Sequence, residues 1–438
     1  MTDIALNPAA ATAKPARRDI GLKRRYAAER RFKFYGIAAI AIGIFFLVAL
    51  LSSVFTNGYT AFRQTEINLA VNLDPKVIDP DNKRATDPNV LLTANYPLLV
   101  RNALAEKLGV SPSNRADLRE LGKLVSDGVR GQLRDLLVKD PNLIGTTQNL
   151  WVLAGADIDS AFKGQIDLSV DQSRRKVSDK QVAWMNKLKD EGAIAKRFNT
   201  GLFTNGASSR PETSGLSVAL LGSLYMMLIV LTLSLPIGVA ASIYLEEYAK
   251  KSRLTDIIEV NINNLAAVPS IVYGLLGLSV FINFAGLPRS ASLVGGLVLT
   301  LMTLPTIIIA TRAALRAVPP SIRAAALGLG ASKMQMVFHH VLPLAMPGIL
   351  TGTIIGLAHA LGETAPLLLI GMVAFVAQAP TTPLDPSTAL PVQVYMWANE
   401  AERAFVERTS GAIIVLLLFL IVMNLGAILL RRRFERRW

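Results

Sequence analysis

The chain contains no cysteine and only three histidines, His339, His340 and His359. The first absence removes disulfides, thiolate metal sites and Cys nucleophiles, and it leaves the redox compartment unread. The histidines never stand with Asp or Glu at metal-ligand spacing, so no metal site is expected. There is no glycine-rich phosphate loop with its Lys and Ser/Thr, so the chain is not expected to hydrolyse ATP by itself. Acidic residues are in deficit, 32 against 46 Lys and Arg, for a formal charge of +14. The polar stretch from 57 to 212 has no run of membrane length, and it offers Ser, Thr and Asp without any His. No catalytic constellation emerges there.

What is abundant is apolar. Hydrophobic residues make up 51% of the 438 positions, which places the chain with integral membrane proteins. A basic balance also suits nucleic-acid binding, but the placement of charge excludes that reading. Lys23, Arg24, Arg25, Arg30, Arg31 and Lys33 precede the first apolar run, and Arg431, Arg432, Arg433, Arg436 and Arg437 follow the last. Clusters of this kind are a topology signature.

Six runs approach the ~20 residues needed to cross a bilayer. They lie near Phe34–Phe55, Leu216–Ser242, Leu265–Phe284, Ala291–Ala314, Pro347–Val376 and Gly411–Leu430. The first is longer than a signal h-region and no clear cleavage site follows it, so it reads as a retained anchor. Lys and Arg concentrate at the amino end (Lys14, Arg17, Arg18 and the cluster above), after the second span (Lys250, Lys251, Arg253) and after the fourth (Arg312, Arg316, Arg323, Lys333). The opposite loops hold Arg289, Arg403 and Arg408. Both termini are therefore expected in the cytoplasm.

The expected organisation is a basic cytoplasmic tail (1–33), a first transmembrane helix (34–56), an extracytoplasmic α+β domain (57–212), a five-helix core (213–431) with a cytoplasmic loop (312–345), and a basic cytoplasmic tail (432–438). Within the inserted domain, Thr65–Leu73 alternates as a strand, with Ile67, Leu69, Val71 and Leu73 on one face. Leu150–Leu153 reads as a second strand. Asn89–Leu108 and Arg115–Val138 read as amphipathic helices, and a third helix opens at Ser178 with Gln181 placed for a capping box. Arg174, Arg175 and Lys176 form either a binding patch or, more simply, a solvated surface.

The cytoplasmic loop is the most informative stretch. Pro319-Pro320-Ser321 stops the fourth span and offers Ser321 as a cap. Ile322, Ala325, Ala326 and Leu329 fall at helical spacing, Gly328 and Gly330 end that helix, and Ser332 with Gln335 opens another through His340. This is either a compact knob whose alanines admit another surface, or a loop lying on the membrane.

In the fifth span Gly348, Gly352, Gly356, Ala360 and Thr364 recur every four residues, a small-residue ridge suited to close helix packing. His359 and Glu363 are four apart on the neighbouring face. Ionisable groups at membrane depth face a bundle interior or a wet path, so this pair either fixes packing or lines a translocation pathway. Pro236, Pro269 and Pro305 each interrupt a span. Tyr273 and Asn264 suit either the pathway or the cytoplasmic interface.

The loop resembles the EAA loop of ABC importer permeases, whose pattern is Glu-Ala-Ala, three residues, Gly, nine residues, then Ile-x-Leu-Pro. Ala324-Ala325-Ala326, Gly330 and Leu342-Pro343 fall at that spacing, with Ala324 in place of Glu and His340 in place of Ile. Further runs (Ile243–Tyr248, Asn264–Gly274 and Gly362-Glu363-Thr364-Ala365-Pro366) resemble PstA-type permease subunits of phosphate-specific ABC importers, over roughly residues 215 to 430. The resemblance implies an all-α polytopic membrane protein of the ABC importer permease fold, with about six transmembrane helices and an inserted α+β extracytoplasmic domain. It implies a multi-pass inner-membrane subunit that is not an enzyme and holds no cofactor, with ATP and Mg in partner ATPases. Those partners would be a PstC-type permease, two PstB-type ATPases and a PstS-type phosphate-binding protein. It assigns ATPase coupling to Ala324, Ala325, Ala326, Gly330, Leu342 and Pro343; in the pathway reading of the fifth span, phosphate passes His359, Glu363 and Thr364, with Glu363 accepting from the P–O–H that sulfate lacks, while PstA-type permeases often carry Arg where His359 stands. Rival readings are a permease for molybdate or sulfate, and a membrane-anchored sensor or scaffold using residues 57–212.

Overall fold

The computed structural model describes residues 21–434 apart from 84–86, 88 and 112, so Lys14, Arg17, Arg18, Arg436 and Arg437 lie outside the described residues. Two compact units divide at Ser53/Val54. The first is most of helix α1, Leu22–Gly58, in which the basic cluster and the first apolar run form one helix of 37 residues. At 1.5 Å per residue it is about 55 Å long, well beyond a ~30 Å hydrocarbon core, so its basic end has length to spare.

The second unit opens with the polar domain. Strand β1 (Arg63–Asn72) is central in a three-stranded antiparallel sheet of order β2-β1-β3, with β2 at Thr147–Leu153 and β3 at Ile194–Phe198. Leu69 faces Leu150 across β1 and β2, and Glu66 faces Ala195 across β1 and β3. The period of two sends Ile67, Leu69, Val71 and Leu73 into the core, where each is at most 1% exposed.

Helices α2 (Tyr96–Leu108), α3 (Arg115–Gly122), α4 (Val129–Lys139), α5 (Ala156–Phe162) and α6 (Asp179–Asp190) supply the rest of the domain, and buried residues of all five join that core. Two sequence expectations are corrected here. Asn89–Leu108 is a single turn, Val90–Thr93, followed by α2. Pro97 lacks an N–H and fits only a first helical turn, so the helix restarts there. Arg115–Val138 is likewise two helices. Between them Val125 bridges Ala154, and the Ser126 N–H donates to the Leu153 carbonyl, so this backbone pairs with the end of β2 instead of continuing a helix. The capping box of Ser178 and Gln181 opens α6. Arg175 departs from a solvated patch: its side chain is 6% exposed and pairs with Asp179.

The helical core follows: α7 (Ser217–Ile243), α8 (Arg253–Ala266), α9 (Ser270–Gly277), α10 (Ser292–Arg316), α11 (Pro320–Gly328), α12 (Leu342–Gly362), α13 (Ala365–Leu369), α14 (Leu390–Ala398) and α15 (Ala404–Phe434). Among the described residues five helices are long and apolar enough to cross a membrane, or six when the bent pair Arg253–Ala266 and Ser270–Phe284 counts as one. That pair corrects the third span. The chain turns by 100° there, and Pro269 caps the second limb. The fifth span also ends well before Val376. It stops at Gly362 because Pro366 would lose the hydrogen bond to that carbonyl and clash with it. Pro236 and Pro305 lie inside α7 and α10, which remain continuous helices.

Candidate coupling element and membrane site

Helix α11 is the exposed part of the loop between the fourth and fifth spans. Ser321 does not cap it; Pro319 holds the cap position and Pro320 begins the first turn. One side packs inward. Ala326 is 5% exposed and lies with Leu315, Val318, Met336, Val337 and Val341 in a separate apolar cluster. Ala324, Ala325, Leu327 and Leu329 face outward, Leu329 being 90% exposed. Gly330 then turns the chain with φ of +87°, a left-handed conformation that a side chain would strain.

Ser332 and Gln335 close a capping box on the turn Lys333–Gln335. Contrary to a second helix ending at His340, the backbone continues through a π turn, Met336–Val341, into α12, with Leu342 and Pro343 in its first turn. Lys333–Gly362 is thus one continuous helical run, so the loop and the fifth span share a shaft.

Ion pairs surround the helix ends nearest α11. α7 ends in a π turn, Tyr244–Tyr248, that carries Glu246 and Glu247. Glu246 accepts from Arg312 (2.5 Å) and Arg316 (2.9 Å), both on α10. Arg312 also reaches Glu259 on α8 (2.8 Å). Glu247 takes Arg323 of α11, with Nη2 at 2.7 Å and Nε at 3.1 Å from Oε1. Sequence reasoning counted these arginines only as topology charges. The signal that pointed further was the adjacent Glu246-Glu247 at the end of an apolar run, opposite three basic residues in the loop after the fourth span.

In α12 the small-residue ridge lies on α10. A Cβ on Gly348 would stand 2.7 Å from the Ala314 Cβ, one on Gly352 would collide with Ala310, and Gly356 faces Ile307. Thr364 lies beyond the helix end and does not extend the ridge. The crossing of α7 and α10 is equally close: the Ser242 hydroxyl donates to the Ile308 carbonyl at 3.1 Å, and a Cβ on Gly238 would meet Ile307 at 2.8 Å.

His359 and Glu363 are joined, Nε2 to Oε1 at 3.2 Å, but not sealed inside this chain. The His359 side chain is 64% exposed and that of Glu363 20%. Glu363 sits where the helix ends, with extended backbone (φ −78°, ψ 123°). The pair therefore lies at a helix break, with His359 exposed on the surface of this chain and Glu363 largely covered beside it. Tyr273 is buried and donates to the Leu265 carbonyl at 2.8 Å, bracing the bend between α8 and α9, whereas Asn264 is exposed. Among the described residues no His, Asp and Glu gather into a metal-binding group.

Residues 234–438 match the profile of the "Binding-protein-dependent transport system inner membrane component" family. The probable ABC transporter permease YqgI of Bacillus subtilis is 30% identical over 237 residues, covering 51% of this chain and 80% of that protein. The chain belongs to this permease family. Two further relatives are named phosphate transport system permeases. PstA 1 of Mycobacterium tuberculosis is 33% identical, covering 51% of this chain and 72% of its own length. PstA of Xylella fastidiosa Temecula1 is also 33% identical, covering 53% and 80%. Residues 19–172 match a "Domain of unknown function" family, DUF3333. Among solved structures, the MetNI methionine ABC transporter in an inward-facing conformation aligns with 18% identity and a TM-score of 0.40, covering 50% of this chain and 98% of that one. The permease is thus a multi-pass membrane subunit with an additional domain of a separately recognised type.

Proposed function

We propose that this permease is the transmembrane subunit of an ATP-driven importer of inorganic phosphate. The observation that carries the reading is the outward face of α11: Ala324, Ala325 and Leu327, with Leu329 at the helix's carboxyl cap, stand exposed while the other side is packed into the span ends. Small and apolar residues on a rigid knob suit close docking of another protein. The relatives named as phosphate permeases supply the substrate class. In this reading two PstB-type ATPases hold ATP and Mg and seat on α11, a PstC-type permease completes the pore, and a PstS-type protein delivers phosphate outside. Both termini are cytoplasmic, and residues 57–212 form the extracytoplasmic domain. ATP-driven displacement of Ala324–Ala326, Gly330, Leu342 and Pro343 shifts the spans between two access states.

At the membrane site, His359 offers a donor to the anion and Glu363 accepts the phosphate proton, with Thr364 beside them at the helix break. The exposed placement of His359 suits a pathway shared with a second permease. The test is ATP-dependent uptake by the reconstituted complex of labelled phosphate, competed with sulfate and molybdate. Competition by phosphate alone is the expected result. Equal competition by sulfate sinks the substrate assignment.

A further inference from the structure

Arg323 ties α11 by hydrogen bonds to the ends of two other helices. Its Nε and one Nη2 hydrogen go to Glu247, at 3.1 and 2.7 Å, on the π turn that ends α7. Its Nη1 donates to the Val318 carbonyl at 2.7 Å, and Nη2 donates again to the Leu315 carbonyl at 2.9 Å. Four of the five guanidinium N–H groups are engaged. Leu315 lies in the last turn of α10 and Val318 two residues beyond its end, so both carbonyls mark the exit of that helix. The Glu247 side chain is 7% exposed and that of Arg323 23%, so the pair is shielded from solvent. The neighbouring Glu246 binds Arg312 and Arg316 of α10 and leaves Glu247 to Arg323.

We propose that Arg323 and Glu247 are the positioning pair that makes α11 and the inner ends of α7 and α10 move as one body. The inference rests on the proposed coupling role of α11. The apolar contacts of Ala326 and Ile322 hold that helix against the bundle, but apolar contacts slide. A planar fork bonded at once to a carboxylate and two carbonyls fixes direction as well as distance. A push on the outer face of α11 therefore reaches α7 and α10 without first rotating the knob. Lysine cannot replace this geometry, because its single ammonium cannot serve all three partners along the same directions.

The chain has no cysteine, so an introduced pair can be labelled uniquely. Spin labels at Leu327→Cys and Lys250→Cys, in the otherwise intact chain in lipid nanodiscs, report the distance between α11 and the end of α7. A single narrow distribution is expected, broadening in both Arg323→Ala and Arg323→Lys. In the assembled complex, Arg323→Lys and Glu247→Gln should keep the ATPase bound and hydrolysing, while uptake per ATP falls about tenfold, a typical coupling loss. A merely structural role would instead lower complex yield and both rates together. An unchanged distance distribution in Arg323→Ala, or an unchanged uptake-to-hydrolysis ratio, overturns the proposal. Should the wild-type complex transport no phosphate, the substrate reading fails, and the distance measurement still decides the clamp.

Discussion

Lys163 Nζ lies 2.9 Å from Glu407 Oε1 and 2.7 Å from Asp159 Oδ2, with the lysine side chain 1% exposed and both carboxylates 7%. Lys163 follows α5 of the polar domain, and Glu407 is in the first turn of α15. The contact fixes the domain to the amino end of α15. Asp159 is held a second time, accepting the Thr65 N–H at 2.8 Å on the central strand. Around it Gln165 donates to Thr60 at 3.1 Å, and Asn199 to the Ala61 carbonyl at 3.0 Å. Of these contacts the Lys163–Glu407 pair joins the domain to α15, and the others knit the domain to the segment that leads into it.

Removing one member of a buried pair leaves its partner charged and unpaired, which costs about 3–5 kcal/mol. Lys163→Met takes the ammonium from two carboxylates and leaves buried Arg408 as their nearby counter-charge, whereas Glu407→Gln leaves Lys163 its bond to Asp159. Lys163→Met should therefore lower the thermal unfolding midpoint in detergent more than Glu407→Gln. Equal or reversed shifts would show that the pair is not the main link between domain and helix.

The glycine ridge of α12 gives a graded test. Gly352 has no space for a methyl group beside Ala310, so Gly352→Ala should destabilise by about 1–3 kcal/mol through overpacking. At Gly356 the nearest atom to a new Cβ is the Ile307 Cγ1 at 3.5 Å, an ordinary contact. Gly356→Ala should be neutral or stabilising by up to about 1 kcal/mol, since Gly is a poor helix former. Unfolding midpoints that fall equally in both variants would count against the packing described.

Asp385 belongs to the loop between α13 and α14, outside the spanning helices. Its carboxylate accepts from the Thr381 hydroxyl and from the Thr381 and Thr382 N–H groups, each at 2.8 Å. These bonds, led by the Thr381 hydroxyl, lower its pKa from 3.8 to about 2. Because the folded value lies below the ordinary one, the tether is complete above pH 3.8 and is lost as pH falls through about 2. Exchange of the Thr381 and Thr382 amides, corrected for intrinsic rate, should be slow and flat from pH 7 to 5. Asp385→Asn should speed it at pH 7; no change there would show that the carboxylate is not what holds the loop.

Much of this architecture was legible in advance because the responsible forces act over short sequence distances. The alternation of Ile67, Leu69, Val71 and Leu73 and the capping box at Ser178 are local signals, and they appear where the pattern placed them. The break between α3 and α4 was hidden because its backbone pairs with β2, remote in sequence. Strand β3, with Lys196, Arg197 and Phe198 exposed, is an edge strand without the clear alternation of β1. The end of α12 was written in Pro366, but an apolar run continuing to Val376 masked it. In the candidate site, helical spacing grouped Ala325 and Leu329 with Ile322 and Ala326, but only the latter two pack inward, and the pairing of Arg323 with Glu247 spans 76 residues and carries no local pattern.

The two faces of α11 make opposite predictions. Leu329 touches solvent over most of its surface, so Leu329→Asp should leave the fold and the unfolding midpoint unchanged. Placed at the centre of a docking face, the same charge should weaken ATPase attachment by at least about 2 kcal/mol, roughly thirtyfold in affinity. Ala326→Asp one turn earlier buries an unpaired charge among Leu315, Val337 and Val341, and should compromise folding of the chain itself. Yield and monodispersity of the full chain, with quantitative co-purification of the ATPase, separate the two effects. A Leu329→Asp chain that still retains its ATPase at wild-type affinity would remove this helix from the docking surface.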